Sequence, residues 1–179
     1  NMQPGACISG MRNARAVYLD GGKAEIGGEI SDITTSTESW QGKAGVVHVR
    51  NAGQATLTTT GKIHDVEGSG SSAVWVGGVD PKLIEPDGRN SSFVSEVNSM
   101  ISPNNDGVKG VQQYGIYPSY VEINGIITGV KKDNAININT ENKEFVDSMR
   151  CVIGSTGSIR GNDVRNGAVY MQTNGGTLD

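Results

Sequence analysis

Charge is scarce in this sequence: Asp, Glu, Lys and Arg together make up 19% of 179 residues. The basic residues never gather beyond the pair Lys131-Lys132, and the formal net charge is -4. An acidic chain without a basic patch lacks the surface that releases counterions from nucleic acid or holds an anionic membrane, so neither partner is expected. Aromatic residues are equally sparse, at 5%. No apolar run approaches the ~20 residues of a membrane helix. The N-terminus shows no basic-then-apolar targeting pattern, so a soluble, mature chain is expected, with any signal peptide already removed.

Groups that carry chemistry are also few. The two histidines, His48 and His64, sit in separate apolar-flanked stretches. A two-His metal site completed by Asp65 is conceivable, but no further His or Cys has zinc-like spacing, and local hydrogen bonding is the simpler expectation. The sequence contains no nucleophile elbow, no phosphate-binding glycine loop with its Lys-Ser/Thr, and no His-Glu-x-x-His pair. Asn104-Asn105-Asp106-Gly107 lacks the alternating acids and the later bidentate acid of a calcium loop, and reads as a surface turn. No catalytic residue, metal or cofactor is expected, and the chain is read as a non-enzyme.

What the chain does have is glycine, 26 residues of it, with many Ser, Thr and Asn between short apolar runs. Period-two alternation recurs over 16–19, 23–33, 46–50, 54–63, 73–79, 120–130, 135–138 and 168–172, which predicts half-buried strands. Asn124-Gly125, between two such runs, predicts a type I′ hairpin turn. Two segments read instead as short helices. Over 92–101, Phe93, Val97, Met100 and Ile101 share a helical face, and over 140–152 so do Phe145, Met149 and Val152. No internal repeat of ~20 to 50 residues is visible, which counts against a solenoid. The expected fold is therefore a single mainly β domain over 1–179, an antiparallel sandwich with one or two short helices.

Cys7 and Cys151 are the only cysteines. Bridged, they would close a loop worth roughly 4 to 5 kcal/mol in the chain-entropy model. The alternative is two reduced, buried thiols. The Gly/Thr/Asn-rich, acidic composition resembles that of secreted surface proteins, where disulfides persist. Of the tryptophans, Trp75 lies between Val74 and Val76 and reads as core. Trp40 follows a polar run and is the candidate for stacking on a ligand.

The run from Gly22 to Ile33, with its Gly27-Gly28-Glu29-Ile30 step, is followed by Trp40 and Lys43-Ala44-Gly45. It resembles the opening strand of enterobacterial chaperone-usher fimbrial subunits, especially the large adhesive subunits of enterotoxigenic fimbriae. The likeness covers about a tenth of the chain. Unlike many of those subunits, this chain has widely separated cysteines and ends Thr177-Leu178-Asp179 without a near-terminal aromatic. The resemblance implies an immunoglobulin-like sandwich of pilin type, lacking its last strand. Its groove would be filled by a periplasmic chaperone and then by a strand of another copy or related subunit. The donor strand would then be Ala14, Ala16, Val17, Tyr18 and Leu19, although an ordinary first strand of a complete sheet explains those residues as well. It also implies passage through the periplasm to the cell surface.

Three functional classes follow. The first is a bacterial fimbrial or adhesin-like subunit that assembles by strand exchange and contacts a host glycan near Trp40. The second is a structural virion component such as a phage tail or spike domain, which would keep both thiols reduced. The third is a carbohydrate-active enzyme using scattered acids such as Asp65 and Glu67.

Overall fold

The structure, a computed structural model, describes residues 1–35, 45–77, 91–114, 119–139, 149–164, 167–172 and 177–179. Its strands form three six-stranded sheets. Sheet 1 contains β1 (Cys7–Ser9), β4 (Glu29–Thr34), β7 (Lys62–Glu67), β10 (Met100–Ser102), β13 (Ile126–Ile127) and β16 (Ser158–Ile159). Sheet 2 contains β2 (Val17–Asp20), β5 (Gly45–Arg50), β8 (Ser72–Val76), β11 (Lys109–Tyr114), β14 (Ile136–Asn139) and β17 (Val169–Gln172). Sheet 3 contains β3 (Lys23–Ile26), β6 (Gln54–Leu57), β9 (Ser91–Ser95), β12 (Ser119–Ile123), β15 (Met149–Ile153) and β18 (Thr177–Leu178).

Each strand pairs, in parallel, with the strand three places further along the chain. Parallel neighbours need a long connection to bring the chain back to the same end. Here that connection is the rest of a turn through the other two sheets, so the chain winds as a parallel β-helix. This overturns the antiparallel, immunoglobulin-like sandwich of pilin type. Period-two alternation correctly marks which side chains share a face, but it carries no information about which strand lies alongside or in which direction.

Stacking residues of one kind at one position of each coil builds the core. Ile8, Ile30, Ile63, Ile101, Ile127 and Ile159 form a column up sheet 1. In sheet 2 the corresponding column is Val17, Val47, Val74, Val111, Ile136 and Val169. In sheet 3, Ala55, Phe93, Val121 and Cys151 line up in the same way. The middle coils of all three columns are fully buried in one cluster. Each large aliphatic side chain removed from water there contributes roughly 1.5 to 3 kcal/mol.

The corner leading into sheet 1 is tight. Gly28, Gly61, Ser99, Gly125 and Gly157 immediately precede its strands, and each carbonyl in this column but the last accepts the backbone N–H that opens the next coil's strand. A Cβ at Gly61 would strike the Ile26 carbonyl, and one at Gly157 the Ile123 carbonyl. Asn124-Gly125 is one of these corners. It hands the chain from β12 in sheet 3 to β13 in sheet 1, so the expected hairpin is not formed. The expected helix over 92–101 is also absent: residues 91–95 are β9, 100–102 are β10, and Val97 between them is 43% exposed. Its helical spacing arises because two inward strand residues, Phe93 and Ile101, flank a corner. Of the second expected helix, residues 140–148 lie outside the described residues, and 149–152 belong to β15. Among the described residues there is no helix.

Candidate functional site

Alternation sends Val47, Val49, Val74, Val76, Val111, Ile136 and Ile138 of sheet 2 into the core. Their neighbours must therefore face outward. The outward residues in register are Tyr18, His48, Trp75, Gln112, Asn137 and Tyr170. One step of alternation further on, Tyr114 pairs with Asn139, and Asn139 with Gln172. A surface strip of a β-helix is ordinarily charged and wet. Here His48, Trp75, Gln112 and Asn137 are all buried.

The strip divides into an aromatic end and an amide end. His48 lies edge-on to Tyr18 at 5.4 Å and tilted against Trp75 at 6.0 Å, and Trp75 meets Tyr114 at 5.3 Å. Arg15 and Arg50 lie over the Tyr18 ring at 5.0 and 5.2 Å, within cation–π range. Arg50 donates to Asp20 at 2.7 Å, and that bond holds the Asp20 carboxyl below its usual range despite partial burial. Burial, reinforced by Arg15, pushes His48 down to about 4, so its ring is neutral near pH 7. Next come the amides. Gln112 Nε2 donates to Asn137 Oδ1 at 2.9 Å, and Asn137 Nδ2 donates to Asn134 Oδ1 at 3.2 Å.

Where the two ends meet, Trp75, Gln112, Tyr114, Asn137 and Asn139, together with Gly70 and Lys109, line a pocket of about 270 Å³. That is close to the lower bound of ligand sites, ~300 Å³, and suits one ring-sized unit. The Trp75 indole N–H is buried and has no hydrogen-bond partner among the described residues. Rings beside directional amides are a combination suited to a ligand with both apolar and hydroxyl faces.

Trp75 is thus buried, at 5% exposure, but it stands on the outer side of sheet 2 and outside the core cluster. The parity of Val74 and Val76 in the sequence carries this placement; the apolar neighbours obscured it. Trp40, the expected ligand contact, lies outside the described residues. Ala14 and Ala16 donate backbone N–H bonds to Thr34 and Val46, and residues 17–20 are β2, paired with β5. The proposed donor residues therefore form the first strand of sheet 2 in their own chain, with Tyr18 on the outward face and Val17 and Leu19 packed against the core.

The disulfide is not formed. Cys7 is exposed in β1 of sheet 1, and Cys151 is buried in β15 of sheet 3, and both are free. They occupy the first and fifth coils, and four parallel rungs at ~4.8 Å each are too far for the ~5.5 Å Cα separation of a bridge. His48 and His64 lie on different sheets, and among the described residues no cluster of His, Cys, Asp and Glu could hold a metal. His64 Nδ1 is 2.7 Å from Asp65 Oδ2, while Asp65 Oδ1 accepts from Asn104 at 2.8 Å. Glu67 accepts from Thr34 at 3.0 Å. Asp106 pairs with Lys132, which gives the Asn104 to Gly107 turn a structural role.

The fold and this strip define a β-helical protein with a small aromatic and amide pocket on one outer face. No known protein family, curated protein or solved structure matches the chain.

Proposed function

We propose that this chain is a non-enzymatic structural component carried on a bacterial surface fibre or a virion, and that the outer face of sheet 2 binds carbohydrate. One observation carries the reading. In the pocket, two aromatic rings, Trp75 and Tyr114, meet three amide side chains, Gln112, Asn137 and Asn139. Pyranose rings offer apolar C–H faces to aromatics and hydroxyls to amides. The acids Asp65 and Glu67 are each engaged by near neighbours away from this pocket, so they do not form a pair across a bound sugar.

Assembly by strand complementation presupposed a sandwich lacking a strand, so it and the periplasmic chaperone do not carry over to this fold. Of the two settings, the virion is favoured by the separated thiols. An exposed Cys7 with no partner within reach suits a chain that matures in a reducing compartment.

A glycan array followed by calorimetry on the hits tests the reading. Binding of at least one oligosaccharide, weakened about tenfold by Asn139→Ala with the melting temperature unchanged, is the expected result. If no sugar binds at millimolar concentration, the assignment is wrong.

A further inference from the structure

We propose that the outer face of sheet 2 takes a carboxylated oligosaccharide running along the helix axis, with one unit in the pocket and a carboxylate further along the same chain held by Arg15. The proposal rests on the carbohydrate reading above and adds the charge and the direction of the ligand. Arg15 is the cation at this end of the strip that has no anion of its own. Its neighbours Arg50 and Arg12 are bonded to Asp20 at 2.7 Å and to Asp32 at 3.0 Å. Arg15 makes no ion pair with any described residue, its Nε is buried without a hydrogen-bond partner, and its cation lies 5.0 Å from the centre of the Tyr18 ring. A buried donor left unmet costs free energy, and a carboxylate meets two guanidinium donors at once.

The charge of Arg15 is not cancelled by its surroundings. His48 lies between the Tyr18 and Trp75 rings. After burial, Arg15 is the strongest influence holding the His48 ring neutral; Arg50 adds to it, and Asp20, the carboxylate that opposes them, is weaker than either. With Arg50 and Asp20 paired, this end of the strip keeps a net positive charge in a chain whose formal net charge is -4.

The pocket has donors to spare as well. The Trp75 indole N–H is unmet among the described residues. Asn137 Nδ2 donates to Asn134 and Asn139 Nδ2 to Gln172, which leaves each amide a second N–H. Lys109 binds Asp133 at 3.0 Å and keeps further N–H donors. These groups suit the ring and hydroxyl oxygens of the unit held there.

Tyr18, under Arg15, pairs in register with His48, and His48 with Trp75. Two rungs therefore separate the arginine end from the pocket, roughly 10 Å at the spacing of parallel strands. A single ring-sized unit cannot occupy both places. A chain of several units laid across the strands can.

Calorimetry with matched oligosaccharides reads the charge directly, each uronic or sialylated chain being compared with the same chain after its carboxylate is reduced to an alcohol. The acidic member is expected to bind at least tenfold more tightly at low salt, with the gap narrowing as salt is raised. In Arg15→Gln the acidic member should fall to within about threefold of the neutral one. Equal or tighter binding of the neutral members by the wild type would overturn the inference while leaving carbohydrate binding intact. A full preference retained by an Arg15→Gln protein that melts normally would overturn it too. Failure of every sugar to bind would remove both readings.

Discussion

Trp75 and Tyr114, on adjacent strands of sheet 2, meet ring edge to ring face, with centroids 5.3 Å apart and planes inclined at 62°. Such T-shaped pairs contribute about 0.5 to 1.5 kcal/mol beyond the area they bury. A double-mutant cycle by urea denaturation on Trp75→Leu and Tyr114→Leu is therefore expected to return a coupling in that range. Trp75→Ala alone should cost about 3 kcal/mol, because a buried indole leaves a cavity behind it. Additive losses in the cycle would show that the two rings do not touch in solution.

The faces of this fold were legible in the sequence and the winding was not. Alternation in 46–50, 73–79 and 135–138 identified β5, β8 and β14, and the apolar residues it pointed inward do form the core. A repeat was present as well, in the isoleucines at 8, 30, 63, 101, 127 and 159. It has no fixed period, because the intervals between the isoleucines widen and narrow with the length of each coil's corners. The runs 23–33, 54–63 and 120–130 each read as one strand but bend at Gly28, Gly61 and Gly125 into two strands of different sheets. The pocket was hidden for a related reason. Gln112 and Asn137 are far apart in sequence and carry no motif, and only the register of β11 on β14 makes them partners.

Thiol chemistry gives a direct check on the winding. Burial pushes the Cys151 thiol up to about 12, so almost none of it is thiolate at neutral pH, whereas Cys7 is exposed. A maleimide or disulfide reagent should modify one cysteine rapidly in the native protein and two after denaturation. Intact mass should not change on reduction. A gain of two hydrogen atoms in mass on reduction would place Cys7 and Cys151 together and is incompatible with their positions in the first and fifth coils.

Two substitutions of opposite sense test the corners. Gly61→Ala should destabilise the protein by more than 1 kcal/mol, since its Cβ would meet the Ile26 carbonyl and the Leu57 side chain. Ala52 is in the left-handed region, at φ 59. Ala52→Gly should therefore raise stability, by up to about 1 kcal/mol, where glycine in a strand or helix would lower it. Chemical denaturation of the two variants is sufficient, and a stabilised Gly61→Ala would mean that the corner carbonyls are not where the coils place them.

His48 predicts how the protein responds to acid. In the unfolded chain its ring takes up a proton near the ordinary 6.5; in the folded protein burial first, and Arg15 next, hold the value at about 4. Tyr18 and Trp75 flank the ring in the strip, and Arg50 adds to the repulsion while Asp20 opposes it. Between those two pH values the unfolded state binds more protons, so stability falls as pH drops from about 6.5 toward 4, by about 3 kcal/mol for a shift of that size. The carboxylates held low by their partners, Asp20, Asp65 and Glu122, act in a separate window. Their contribution is full above the ordinary carboxylate range and is lost only as pH falls through it and below. Urea denaturation at pH 7.5, 6, 5 and 4.5 should show the early loss in the wild type, and His48→Phe should flatten it while leaving the decline at lower pH. A wild type equally stable at 7.5 and 4.5, or a variant with an undiminished slope, would mean that the outer face of sheet 2 admits water to His48.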